Sequence, residues 1–271
     1  MFTASAAGGF FSCMAKQIIS IFPKSISLSS LWRSVLAKTP LSRAARGVIT
    51  LSTDFGDGFA TSQLKAVVAS LGYEGQLIEN HDVKAFSIVE GAYGIWQLAK
   101  LCPVGTVHVG VVDPGVGSGR AGIVIKTKNY WFVGPDNGLL WPAAALDGIR
   151  SVWKIEEGEF GEIANTFHGR DVFIKQAVYL AQGERPRGKK IDQVERLEFK
   201  EGQVVHIDTY GNAKIWGKKT FGLPIVKTFS DVSEGEPLLL NGSSDLLELA
   251  VNCGSAEARF GLKLGQVLNK L

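Results

Sequence analysis

Between Val48 and Gly183 the sequence alternates short apolar runs with longer stretches of helical spacing, and this alternation limits the fold more than any other feature. "VITLST", "QLIEN", "TVHVGVV", "GIVIKT", "YWFVG" and "SVWKI" read as strands. "FATSQLKAVVASLG" reads as a helix stopped by Gly72. Ser87 and Glu90 form a capping-box pattern ahead of "IVEGAYGIWQLAKL", where Val89, Ala92, Ile95, Trp96 and Ala99 recur on one helical face. "GLLWPAAAL" predicts a short helix broken at Pro142, and "RDVFIKQAVYLAQG" a helix followed by Gly183. Strands alternating with helices imply an α/β domain over residues 48–183, with a mostly parallel, helix-covered sheet.

The pattern then changes. Residues 184–201 are charged and proline-marked and read as a linker. From residue 202 to 271, β-type runs such as "GQVVHIDTYGNAKIWG", "PLLLNGS" and "LLELAVN" are separated by Gly, Pro and Asn turns. A β unit this small is expected to depend on packing against the first domain or another subunit. Residues 1–47 stand apart, with nine Ser, six basic residues and no acid. They fit a mitochondrial or plastid transit peptide, or an extension from a start codon that Met14 rivals. The expected location is the cytoplasm, or one of those organelles if the segment is a transit peptide.

That segment also explains the charge. All 26 acidic residues lie beyond residue 53, so the chain from Val48 onward carries a net charge of −3 against +3 overall. A nucleic-acid partner is not expected, because no basic surplus remains for the folded part. No uninterrupted apolar stretch approaches the ~18 residues of a membrane span. Cys13, Cys102 and Cys253 are far apart and odd in number, and no His-x-x-x-His or Cys-x-x-Cys occurs, so neither a disulfide framework nor a metal site is expected.

"VVDPGVGSGR", residues 111–120, has the look of a phosphate-binding loop after a strand. A dinucleotide fingerprint needs a third Gly where Arg120 stands and a helix where "AGIVIKT" reads as a strand, and a Walker loop needs Gly-Lys-Ser or Gly-Lys-Thr. The glycines are therefore turn formers, and Asp113 and Arg120 face each other across a tight loop at the sheet edge where α/β ligands bind. They form either a loop-stabilising ion pair or part of a reaction centre. Further candidates stand at other strand ends. Asp54 in "STDFGDGF" can take both hydroxyls of a ribose, "PDNG" (residues 135–138) is a turn, His168 in "NTFHGRD" precedes a helix, and Asp208 and Asn212 flank a turn in "HIDTYGN".

In this order the five motifs resemble the S-adenosyl-L-methionine hydrolase family, the hydroxide adenosyltransferases related to fluorinase and chlorinase. The resemblance covers residues 48–271. It implies a substrate, S-adenosyl-L-methionine, bound between the α/β domain of one subunit and the β domain of its neighbour in a homotrimer. Asp113, Arg120 and His168 would position and activate water. Asp54 would hold the ribose, Asp208 the methionine ammonium, Ser243 the carboxylate, and Asn212 and the backbone near Cys253 the adenine. Ser244 stands where relatives may carry Arg, "AKIWG" replaces the usual continuation after Asn212, and the β domain looks short.

The chemistry implied needs no cofactor. A sulfonium makes C5′ electrophilic and leaves as a neutral thioether, so the protein has only to hold and deprotonate water. Two rival readings stand beside it: nucleophilic halogenation on the same scaffold, giving 5′-halo-5′-deoxyadenosine, and ligand sensing without turnover. Arg and His beside the nucleophile suit water better than a halide pocket, and an intact triad argues against a silent sensor.

Overall fold

The computed structural model describes residues 47–271; the sequence features of residues 1–46 lie outside the described residues. A seven-stranded sheet is built from β1 (Val48–Thr53), β2 (Gln76–Asn80), β3 (Val107–Val111), β4 (Gly122–Thr127), β5 (Trp131–Pro135), β6 (Ile149–Ile155) and β7 (Gly188–Ile191), in the order β2-β1-β3-β5-β4-β6-β7. Helices α1 (Phe59–Ser70), α2 (Ile88–Leu101), α3 (Trp141–Asp147) and α4 (Ile174–Ala181) accompany it.

Within this sheet, β2, β1, β3 and β5 pair in parallel, and β4, β6 and β7 continue it antiparallel. For β4 and β5 the cause is loop length. Three residues separate β4 from β5, enough for a hairpin but not for the crossover that parallel strands need. Residues 184–201 are not all linker, since β7 lies within them as the sheet's edge strand. Pro142 does not break a helix either. It occupies the first turn of α3, where its missing N–H has no partner to lose.

Alternation along the strands divides the core in two. Ile49, Leu51, Val107, Val109, Val111, Val124 and Val133 meet α1 and α4 on one face. Ile123, Ile125 and Phe132 meet α2 and α3 on the other. Under α2, β3 carries Gly110, where a Cβ would stand 2.5 Å from the Ile95 Cδ1 and 2.9 Å from the Leu139 Cδ2, so a larger residue would force these buried side chains to repack. The buried imidazole of His108 bonds the Thr50 hydroxyl at 2.8 Å, and burial holds its pKa down to about 3, so it stays neutral and structural.

The second sheet holds β8 (Val204–Ile207), β9 (Ala213–Ile215), β10 (Ile225–Val226), β11 (Pro237–Asn241) and β12 (Leu247–Val251), in the order β10-β11-β12-β9-β8, followed by the short α5 (Ala256–Phe260). Its own core is small and centres on Val204, Ile215, Leu239, Leu247 and Leu249. The unit docks on α2: Val205 and Leu246 join the core beneath that helix, and Trp96 meets Trp216 edge-on at 5.0 Å. Truncating a buried Trp costs roughly 3–5 kcal/mol. Trp96→Ala is therefore expected to lower the urea midpoint clearly, and an unchanged midpoint would show that this contact adds nothing.

The capping box at α2 is half made. Ser87 accepts the Glu90 amide at 3.3 Å. The Glu90 carboxylate does not return to Ser87; it accepts the Lys84 amide at 2.8 Å and meets His206 of β8 at 2.7 Å. Glu90 thus ties the loop before α2 to the second sheet.

Candidate active site

The C-terminal ends of β1 and β3 lie side by side because those strands pair in parallel, and the loops leaving them share one cavity of about 270 Å³. Asp54, Phe55, Phe86, Asp113, Phe167 and His168 line it. Asp54 follows β1, and its Oδ2 accepts the Phe86 amide at 2.8 Å. Phe86 holds φ at +65°, a left-handed conformation uncommon for a bulky residue, and the residue is 73% exposed. Strain of this kind concentrates where a loop is clamped for a purpose.

A relay that no sequence motif signals shapes the turn around Asp54. The Thr53 hydroxyl accepts the Phe55 amide at 3.2 Å, so its proton is free for His81 Nδ1 at 2.8 Å. The opposite ring nitrogen meets Glu79 at 3.1 Å, and Glu79 pairs with Lys65 at 2.9 Å. Burial would raise the Glu79 pKa, but Lys65 and His81 outweigh it and hold the carboxyl below its ordinary range.

Asp113 and Arg120 do face each other. Arg120 Nε donates to Asp113 Oδ1 at 3.0 Å and Nη2 to Oδ2, a two-point fork that holds both side chains nearly buried. The loop between them folds back through Gly117, whose φ is +75° and where a Cβ would stand 2.6 Å from the Asn165 carbonyl oxygen. The absence of a side chain there lets the loop lie close against the segment carrying His168. Arg120 Nη2 also lies 3.2 Å from His168 Nδ1, so the pair and the imidazole form one network. Arg120 Nη1 is buried and has no partner within the protein.

His168 is 6% exposed and opens a π-helical turn, Gly169–Phe173, that leads into α4. Asp171 within this turn accepts the Ala164 amide at 2.9 Å and is gripped by the Arg170 fork at 2.7 and 2.8 Å. Burial pushes the Asp171 carboxyl up, but the Arg170 and Ala164 bonds prevail and hold it below the ordinary range. The "PDNG" turn after β5 supports the same edge: Asn137 Nδ2 donates to the Val112 carbonyl at 2.9 Å.

The second group of candidates sits apart, on the smaller sheet. Asp208 organises the β8–β9 turn: Oδ1 accepts the amides of Tyr210 and Asn212 at 2.9 Å, and Oδ2 accepts Asn212 Nδ2 at 3.1 Å. Asp208, Asn212 and Cys253 line a cavity of about 640 Å³ with Tyr210, Phe229 and Glu248. A hydrogen bond to the Glu234 carboxylate pushes the Cys253 thiol up, which disfavours a thiolate. Ser243 is exposed in the β11–β12 turn and lines neither cavity, whereas Ser244 is buried.

Fold and site together define a two-domain α/β protein with a buried Asp–Arg–His network at the end of a parallel strand pair. The chain belongs to the SAM hydroxide adenosyltransferase family: residues 49–189 match the model of its N-terminal domain, and residues 202–269 that of its C-terminal domain. Over 252 residues it is 32% identical to the (R)-S-adenosyl-L-methionine hydrolase of Thermus thermophilus, spanning 81% of this chain and 97% of that protein. A protein of the same name from Methanocaldococcus jannaschii is 36% identical over 172 residues, 61% of this chain and 65% of that one. The fold is similar to the crystal structure of an uncharacterized conserved protein from Thermotoga maritima, with a TM-score of 0.73 and 29% identity over 80% of this chain and 97% of that one. The resemblance read from the five motifs is borne out.

Proposed function

We propose that this protein hydrolyses S-adenosyl-L-methionine to adenosine and L-methionine. Water forms a bond to C5′ as the C5′–S bond breaks; its electron pair goes to sulfur, which leaves as the neutral thioether of methionine. The water's proton passes to the protein and then to solvent. The observation that carries this reading is the Asp113–Arg120–His168 network, whose Asp113 and His168 line one cavity with Asp54. Asp113 fixes the guanidinium, and Arg120 and His168 orient the water. The leaving group is neutral, so the step needs neither a metal nor a cofactor.

Asp54 holds the ribose hydroxyls. Asp208 takes the methionine ammonium, Asn212 and the backbone near Cys253 the adenine, and Ser243 the methionine carboxylate. The cavity at the network, about 270 Å³, is below the roughly 300 Å³ at which ligand sites begin. A ligand joining a nucleoside to an amino acid needs more wall than this. The larger cavity that carries Asp208 and Asn212 shares no lining residue with it. Both facts support a site closed by a neighbouring subunit, and the assembly proposed is a homotrimer.

The test is product analysis in oxygen-18 water, using both sulfur epimers because the relatives are named for the R form. Equal amounts of adenosine and methionine are expected, with the label in the 5′-hydroxyl. Methionine release with a 5′-chloro nucleoside in added chloride would identify a halogenase instead. Binding without methionine release would leave only a sensor.

A further inference from the structure

The hydrolase reading passes the water's proton to the protein, and His168 is the cavity group suited to take it, yet its best-defined neighbour works against that. Arg120 is a donor only and keeps its charge, so if Nδ1 of His168 accepts from Nη2 at 3.2 Å, the ring proton of the neutral imidazole must sit on Nε2. In that tautomer Nε2–H can orient a water but cannot deprotonate it. The same Nδ1 has a second neighbour of opposite character: Glu157 Oε1, an acceptor only when ionised, at 3.5 Å. The two neighbours demand opposite tautomers.

We propose that Glu157 is a positioning residue that keeps the proton on Nδ1 of His168, so that Nε2 presents its lone pair to the attacking water. This rests on the hydrolase reading. Charge balance favours it over the arginine alternative. As His168 takes the proton it becomes a second cation beside Arg120, and the Asp113 carboxylate is already spent on that guanidinium. Asp171, three residues along its own turn, is committed to Arg170 and the Ala164 amide. Glu156 pairs with Lys189 at 2.6 Å. Asp54, across the cavity on the β1 end, is bonded to the Phe86 amide. Among the described residues, Glu157 is the carboxylate within ion-pair reach of the ring that has no other cation assigned to it.

The fold also supports its placement. Glu157 opens the 3-10 turn Glu157–Phe160 after β6, and the buried Phe160 anchors that turn, its carbonyl accepting Lys175 Nζ at 3.1 Å. A separation of 3.5 Å is longer than an ordinary hydrogen bond. An opposite charge within ~4–6 Å already acts on the ring, however, so the contact favours the Nδ1 proton without substrate.

Two measurements decide it. Nitrogen-15 spectra of His168 in the free wild-type protein should show a protonated Nδ1 and a bare Nε2 in the neutral ring. Glu157→Gln should lower kcat at least ~10-fold, a fraction of the ~10⁴-fold loss seen where an orienting carboxylate is fully buried. KM should be unchanged, because Glu157 touches no substrate. The acidic limb of the kcat–pH profile should move to lower pH, since removing a carboxylate destabilises the imidazolium. Glu157→Asp should restore part of kcat. A merely structural role would move neither the profile nor the tautomer. A proton on Nε2 in the wild type, or a wild-type profile in Glu157→Gln, overturns the proposal, and if that variant fails to fold the wild-type spectrum still decides. Inactivity of the wild type would sink the hydrolase reading alone, because the spectrum reports the tautomer without substrate.

Discussion

His168→Asn is expected to cut turnover of S-adenosyl-L-methionine by roughly 100-fold or more, the usual loss on removing a general base. Such a loss corresponds to about 2.7 kcal/mol of transition-state stabilisation. Affinity should barely change, because ribose, adenine and methionine are assigned to Asp54, Asn212, Asp208 and Ser243. His168 has a competing structural role: it is buried, opens the π-helical turn and meets Phe173 edge-on at 6.5 Å. If packing were its whole contribution, the variant would melt earlier yet turn over normally. Calorimetric binding, a melting curve and adenosine release on one preparation separate the two roles. Normal turnover in His168→Asn would remove the main ground for preferring hydrolysis to halogenation.

The parts of this site that could be read in the sequence are those whose chemistry is local. Buried runs such as "VITLST" and "TVHVGVV" mark strands because every residue of β1 and β3 is enclosed. Asp113 and Arg120 are seven residues apart on a loop whose turn glycines bring them face to face, so their pairing was foreseeable. The β4–β5 hairpin was foreseeable too, since three residues between those strands leave no room for a crossover. The antiparallel entry of β6 and β7, by contrast, follows long connections that fix no direction. Other features depend on partners far along the chain. The Thr53–His81–Glu79–Lys65 relay, the reach of Glu90 to His206, and the contact of Glu157 with His168 join residues that no spacing rule connects. Strand β7 hid in a charged segment because an edge strand has one side open to water and needs no apolar run.

The second large effect is expected from mixing two defective proteins. His168→Asn removes a group from the smaller cavity, and Asp208→Asn removes a charge from the larger one. Asparagine is the better choice at Asp208, because its side-chain oxygen can still accept the amides that Oδ1 holds in the β8–β9 turn. Each variant alone should be nearly inactive at low substrate concentration, the first through turnover and the second through affinity. If each site joins the α/β domain of one subunit to the β domain of the next around a closed ring, random co-assembly leaves about a quarter of the sites with both halves intact. Co-expressed variants should therefore recover about a quarter of wild-type activity, and sedimentation should give a trimer. The gain cannot come from folding, because neither variant supplies the group its own chain lacks. If the whole site lay within one chain, every site would keep one lesion and mixing would restore nothing. Full activity of the wild type at dilutions where sedimentation shows only monomer would overturn the shared site in the same way.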